Sequence, residues 1–211
     1  MKYIEYYKHM RKDAIIFAHL LNNFSYVTRI IGAGEKVSLD RKHILMVKSG
    51  ALFEENNGKK SGIARYFFPK SFFFPTRESV VVKALETSEI CCINADLVFR
   101  KLEEEGILSD FFLQVAEKNE QDLERQIFLV TERPKNKIVS TLNFILENNL
   151  SNSDLAAFPK WLQMGVLAQL ANCSPHTISS TIHELQDRGL LDIQSTPWKI
   201  LRKERKFEYL E

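Results

Sequence analysis

Cysteine is scarce in this 211-residue chain, with Cys91, Cys92 and Cys173 making an odd count without framework spacing. A disulfide scaffold is therefore excluded and a reducing cytoplasmic setting expected, with Cys91 and Cys92 as two buried strand thiols. No Cys pair stands at zinc spacing. No stretch of eighteen or more apolar residues runs without charge, so no membrane span is expected. The N-terminal MKYIEYYKHMRKD lacks the continuous apolar core of a signal peptide. An excess of one charge is missing too: 29 Lys and Arg face 27 Asp and Glu, net +2. Any nucleic-acid affinity must then come from a local patch rather than from the whole field. Histidine is sparse, at positions 9, 19, 43, 176 and 183, and only His43 falls among expected strands. A metal-dependent β-roll enzyme needs several such ligands converging. No Ser/His/Asp or Cys/His arrangement and no phosphate-cradling glycine loop occurs. These absences argue against an enzyme, and neither metal nor cofactor is expected.

What is present is an ordinary globular composition, 45% apolar and 27% charged, with fifteen Phe. The informative stretch is Val166–Leu191, VLAQLANCSPHTISSTIHELQDRGLL. A short apolar run, Val166, Leu167, Leu170 and Ala171, breaks at Asn172, which tolerates the left-handed conformation. Ser174 suits an N-cap and Pro175 the first helical position. Ile178, Ile182 and Leu185 mark one buried face, and Gly189 is a good stop. Two short helices joined this way predict a helix-turn-helix, whose second helix can enter a DNA major groove. His176, Ser180 and His183 project opposite the buried face, flanked by Thr177 and Ser179. A solvated face would more often carry Lys and Glu; the plain alternative is a packed helical hairpin.

Leu190–Ile193 and Trp198–Leu201 can then pair across a Ser195-Thr196-Pro197 turn, the wing of a winged helix. Over residues 160–206 seven cations (Lys160, Arg188, Lys199, Arg202, Lys203, Arg205, Lys206) stand against four anions (Glu184, Asp187, Asp192, Glu204). Lys199, Arg202 and Lys203 are candidate phosphate contacts, and Ser174, His176, Thr177, Ser179, Ser180 and His183 candidate base or phosphate contacts. The run Leu167-Ala168-x-Leu170, the Cys173-Ser174 turn, Thr177 and the Leu185…Gly189-Leu190 close resemble the DNA-binding half of the cyclic-AMP receptor protein and FNR (Crp/Fnr) superfamily of bacterial transcription regulators.

Residues 1–22 read as helix, and Phe24 to about Ile93 as short strands: 27–31, 36–39, 43–47, 52–55, 63–68, 79–85 and 89–93. Asn57-Gly58 is a hairpin signal. Such spacing predicts a barrel, sandwich or roll. The Gly34-Glu35 and Ser49-Gly50 turns resemble the superfamily's N-terminal jelly roll. Where cyclic-nucleotide-binding members carry a Gly-Glu pair and an Arg-Ser, this chain reads FFPKSFFFPTRES. Glycine is missing there, Glu78 stands in the place of the Arg before Ser79, and Arg77 is one residue off and so turned to the other strand face. Cyclic AMP is therefore not expected to bind. The iron–sulfur cluster that some members of the superfamily hold with N-terminal cysteines is excluded as well, since no Cys precedes Cys91. Phe67, Phe72 and Phe74, with Arg77, are a candidate effector pocket; the alternative is a core filled by its own rings.

A helix from Asp96 to Glu105 should end near Gly106, and a long helix should run from Leu108 to Thr131. Phe112, Ala116, Asn119, Leu123, Gln126 and Val130 alternate four and three residues apart, a coiled-coil spacing that suggests a dimer seam. Thr131–Lys135 reads as a hinge, followed by a helix to about Asn148 and a polar connection, SNSDLAAFP. The expected class is α+β: a jelly-roll domain (1–107), a dimerisation helix and hinge (108–132), and a winged-helix domain (133–211). The resemblance implies double-stranded DNA, a second copy of the chain, RNA polymerase and an unknown small-molecule effector as partners, and no membrane. The function expected is a sequence-specific regulator on a palindromic operator, effector-controlled or constitutive. The alternative is an interaction module of the same fold that does not bind DNA specifically. It draws on the recognition helix, where Pro175, His176 and Ser180 replace the Arg, Glu and Arg that the resemblance implies.

Overall fold

The computed structural model describes residues 15–55, 65–75, 79–148, 157–201 and 207. Helix α1 (Ile15–Asn23) leads into eight strands: β1 (Val27–Ile31), β2 (Lys36–Asp40), β3 (His43–Ser49), β4 (Leu52–Glu55), β5 (Tyr66–Phe67), β6 (Phe72–Phe73), β7 (Ser79–Ala84) and β8 (Ser88–Asn94). They form two antiparallel four-stranded sheets, ordered β1-β8-β3-β6 and β2-β7-β4-β5. Helices α2 (Ala95–Glu104) and α3 (Leu108–Thr131) follow. This is a jelly roll with flanking helices. Residues 1–14, the Asn57-Gly58 turn and Arg77 lie outside the described residues.

The apolar run Ile44-Leu45-Met46-Val47 shows why the first sheet sits in the middle. All four side chains are fully buried, as in strands covered on both faces. Period-two alternation sends Leu45 and Val47 toward the second sheet, among Ile31, Leu39, Leu52, Val80, Val82 and Ile90. Ile44 and Met46 face the helices, among Phe17, Leu20, Val98, Leu102 and Phe111. Gly50 makes the β3–β4 turn at φ +86°, where a Cβ would meet the Ser88 backbone at 2.6 Å. Only glycine fits there.

The strand β6 falls between the expected strands 63–68 and 79–85, in a Phe72-Phe73-Phe74 run that has no apolar–polar alternation. Its rings alternate nonetheless. Phe73 tilts onto Phe67 between the sheets, with ring centroids 4.8 Å apart. Phe72 stacks on Phe111 at 5.3 Å, and Phe74 meets Phe99 edge-on at 5.2 Å, both on the helix side.

After α3, helix α4 (Pro134–Asn148) begins at Pro134. Glu132 Oε1 accepts from the Arg133 amide (2.8 Å) and the Asn136 side chain (3.2 Å). Both bonds favour the carboxylate and hold its pKa below the usual range. Then come α5 (Met164–Leu170), α6 (Pro175–Asp187), β9 (Leu191–Asp192) and β10 (Lys199–Ile200). Among the described residues the chain separates into two compact units, meeting in sequence at Leu123 and Glu124 within α3. The second unit has its own core, in which Ile138, Leu142, Phe158, Leu167, Ile178, Ile182, Leu185 and Leu191 are buried. No helix is long and apolar enough to cross a membrane among the described residues.

Candidate nucleic-acid interface

Helix α5 ends at Leu170, and Asn172 takes φ +51°, turning the chain by the left-handed step its side chain tolerates. The Cys173 amide donates back to the Ala168 carbonyl (3.1 Å), closing the turn. Ser174 then caps α6: its Oγ accepts from the Thr177 amide at 3.1 Å, and the two hydroxyls bond each other at 2.8 Å. The cap satisfies one amide of the first turn, while Pro175 supplies the preset φ of a first helical residue and has no N–H to leave unpaired. At the other end Gly189 adopts φ +66°, the left-handed stop of a helix C-terminus.

One face of α6 is buried by Ile178, Thr181, Ile182 and Leu185. The opposite face carries His176, Ser180, His183 and Asp187, all exposed, with Ser179 and Thr177 half-buried beside them. Glu184, on the side of the helix, is tied to Lys135 of α4 (2.6 Å) and to Arg188 (2.7 Å). The Lys135 hydrogen bond above all, with Arg188 assisting, lowers its carboxyl pKa. The outer stripe thus keeps imidazoles and a hydroxyl as far as His183 and ends in the carboxylate of Asp187, while the Glu184 ion pairs sit at its flank.

The wing is a two-stranded ladder in which Lys199 faces Asp192 and Ile200 faces Leu191. Its loop is held by the Gln194 amide on Asp192 Oδ1 (2.9 Å) and by Ser195 Oγ donating to the Pro197 carbonyl (3.0 Å). Ala157 bridges Lys199 on the other side, and the Phe158 amide donates to the Trp198 carbonyl (2.8 Å). The connection expected to be polar and turn-rich therefore adds a bridge on the far side of β10, a pairing without any local sequence signal. Lys199 is exposed; Arg202 and Lys203 lie outside the described residues. Of the candidate DNA contacts, the structure brings Ser174, His176, Thr177, Ser179, Ser180 and His183 onto one helix.

On α3, Phe112, Ala116, Asn119, Leu123 and Val130 are exposed and Gln126 is half-buried. Phe112 is 45%, Leu123 55% and Val130 64% exposed, unusual values for large apolar side chains. Ile127, at 54%, joins them. It lies four residues after Leu123 and three before Val130, so the same spacing could have chosen it over Gln126.

The candidate effector pocket does not assemble around its three rings. Phe67 belongs to the packing between the sheets and Phe72 and Phe74 to the packing under the helices. The cause is topology: Phe67 lies in β5 of the second sheet and faces the first, whereas β6 belongs to the first sheet and turns only Phe73 toward Phe67, leaving Phe72 and Phe74 on the helix side. Among the described residues, no three His, Cys, Asp or Glu side chains gather where they could hold a metal ion.

No protein-family model matches the sequence, and no curated protein matches it. Solved structures do. A cyclic nucleotide-binding domain containing protein from Listeria monocytogenes EGD-e superposes with a TM-score of 0.69 at 17% identity, covering 90% of this chain and 98% of that one. The c-di-GMP responsive global regulator CLP of Xanthomonas campestris gives 0.64 at 18%, covering 90% and 99%. A protein described as a transcriptional regulator of the crp/fnr family from Eubacterium rectale ATCC 33656 gives 0.63 at 15%, covering 90% and 91%. The chain shares the fold of these proteins. That fold joins a jelly roll to a helix-turn-helix unit, and the similarity spans both units described above.

Proposed function

We propose that this Crp/Fnr-like chain is a DNA-binding transcription regulator, a binding protein rather than an enzyme, that reads a palindromic operator as a homodimer. The observation that carries the reading is the outer stripe of α6. Four buried side chains and a Ser174 cap hold the helix rigidly, while His176, Ser180 and His183 are presented outward with no packing role. Hydroxyls and imidazoles can accept or donate to base edges, and the capped N-terminus of α6 favours a phosphate. Lys199 would hold the backbone from the wing, and Arg202 and Lys203, which follow in sequence, would add phosphate contacts. The regulators CLP and the Eubacterium rectale protein, similar in fold, support the class.

The homodimer reading rests on α3. A soluble helix that leaves Phe112, Leu123, Ile127 and Val130 open at coiled-coil spacing has a face built for burial. The occupant is the same stripe of a second copy, because a twofold seam pairs each residue with its equivalent. Two recognition helices then meet two half-sites about one helical turn apart. Control would be exerted at the jelly roll by a small effector or partner, or the protein would be constitutively competent; RNA polymerase is the expected further partner of an activator.

One observation favours a second reading, an interaction module that keeps the fold without specific DNA binding. No Arg or Lys lies on the outer stripe of α6, and Asp187 ends it. Bidentate Arg–guanine contacts, each worth about 1–3 kcal/mol of discrimination, are absent there. Selection of duplexes from a random pool by the purified protein, at fixed salt and without added ligand, separates the two. An enriched palindrome with half-sites about 34–36 Å apart supports the regulator. Salt-sensitive binding without any enriched sequence supports the module.

A further inference from the structure

A cleft of about 520 Å³ opens at one end of the jelly roll, where β1, β2, β3 and β8 converge. That lies within the roughly 300–1,000 Å³ of small-molecule sites. Its chemistry follows from register. Ile31, Ile90 and Leu45 are buried between the two sheets. Stepping two residues along each strand keeps the same face and reaches Arg29, Cys92 and His43, all of which line the cleft. The apolar filling of the roll therefore gives way at this end to a guanidinium, a thiol and an imidazole that line the open cleft. Val27 and Leu39 form apolar wall.

The charges in the cleft are unequally committed. Asp40 Oδ1 accepts from the Lys42 amide (3.0 Å) and from His43 Nδ1 (2.8 Å). The His43 hydrogen bond chiefly, and the Lys42 amide after it, hold the Asp40 carboxyl below its usual pKa. The bond to Asp40 uses His43 Nδ1 and leaves the ring's Nε2 for a ligand. Asn94 Oδ1 caps α2 by accepting from the Leu97 amide (3.1 Å), which leaves its NH₂ to donate elsewhere. Arg29 has no carboxylate or hydrogen-bond partner among the described residues. One guanidinium without a counter-ion thus sits beside one engaged carboxylate, above an apolar wall.

We propose that this cleft is a binding site for a small monocarboxylate with an aliphatic body, its carboxylate held in the fork of Arg29 and its chain against Val27 and Leu39. A planar fork matches a carboxylate with two parallel hydrogen bonds. A single negative charge balances Arg29, whereas a dianion such as a phosphate monoester would also meet Asp40. The site belongs to the first unit alone and stands apart from the DNA-binding reading.

The test is calorimetric titration of the full-length protein with hexanoate, hexanamide and hexyl phosphate. Saturable one-to-one binding of hexanoate is expected, with hexanamide and hexyl phosphate weaker by about tenfold or more. Arg29→Gln should weaken hexanoate by about tenfold or more, and Arg29→Lys, which keeps the charge but loses the fork, by less. Arg29 is exposed, so both variants should melt like the parent. Absence of saturable hexanoate binding up to about 10 mM overturns the proposal. So does equal binding of the amide, tighter binding of hexyl phosphate, or unchanged affinity in Arg29→Gln. Should Arg29→Gln melt early, the comparison of acid with amide in the parent protein still decides.

Discussion

Replacing Leu123 by Glu is the sharpest probe of the proposed dimer. Phe112, Leu123, Ile127 and Val130 are each about half exposed on α3, from 45% to 64%. Full burial of such a side chain is worth about 1.5–3 kcal/mol, so covering the remaining half gives ~0.8–1.5 kcal/mol each. Four residues from each of two copies supply about 6–12 kcal/mol, against an association cost of about 4–15 kcal/mol. The margin is narrow, so a single substitution should be decisive. Leu123→Glu forfeits ~0.8–1.5 kcal/mol per copy and sets two carboxylates against each other in a desolvated seam. A combined penalty of at least ~2 kcal/mol weakens the dimer about 30-fold or more. Because Leu123 is 55% exposed, the fold itself should tolerate the change, and circular dichroism should be unaltered. Sedimentation equilibrium across a concentration series is the assay. Parent protein that stays monomeric at high concentration, or a Leu123→Glu variant that dimerises like the parent, would refute the seam.

The remaining tests address the second unit and the turn of the roll. Lys199→Ala should weaken binding to all duplexes about equally and reduce the salt slope by about one, while His176→Ala or Ser180→Ala should shift the selected sequence instead; a gel-shift series at several salt concentrations reads both. Ser174→Ala removes the acceptor 3.1 Å from the Thr177 amide and should cost about 1 kcal/mol in denaturant unfolding. Gly50→Ala forces a Cβ against Ser88 at a φ of +86° and should cost more than about 1 kcal/mol. Glu184 has a pKa lowered on folding, from an ordinary value of 4.5. The stability it contributes is complete above that value and is lost as pH falls through the folded pKa. Melting temperatures of the parent should therefore fall more steeply than those of Glu184→Gln between about pH 6 and pH 3.

Local signals carried much of the fold. Ser174-Pro175, Asn172 and Gly189 mark where the chain bends because each has a backbone or capping property that acts within a turn. The ends of α3 at Leu108 and Thr131 follow the expected bounds for the same reason: Gly106 stops one helix and Pro134 opens another. What escaped was set by long-range pairing. The strand β6 is two residues of an unbroken Phe run, legible only once β3 lies beside it. The Ala157–Lys199 bridge joins positions more than forty residues apart. The cleft at Arg29 draws on β1, β2, β3 and β8, which the order β1-β8-β3 in one sheet and β2-β7 in the other brings to a common end. Nothing in the spacing of Arg29, Asp40, His43 and Cys92 along the chain announces that meeting.

The character of α6 makes dimerisation central to the proposed function. Its outer stripe offers hydroxyls and imidazoles but no guanidinium, so each proposed base contact would be a single hydrogen bond rather than a fork. Discrimination per base pair should then lie at or below the low end of the roughly 1–3 kcal/mol that bidentate pairs supply. One half-site read this way can barely separate an operator from random sequence. Two half-sites double the discrimination, because well-separated mismatches add. The modest net charge of +2 acts in the same direction. Few phosphate contacts mean weak non-specific binding, and specificity is a ratio between the two. Asp187, last in the exposed stripe, repels a phosphate that comes near the C-terminal end of α6 and so favours docking through its capped N-terminus. A recognition face without cations therefore suits a twofold protein far better than a monomer, and the open face of α3 and the chemistry of α6 support one another for that reason.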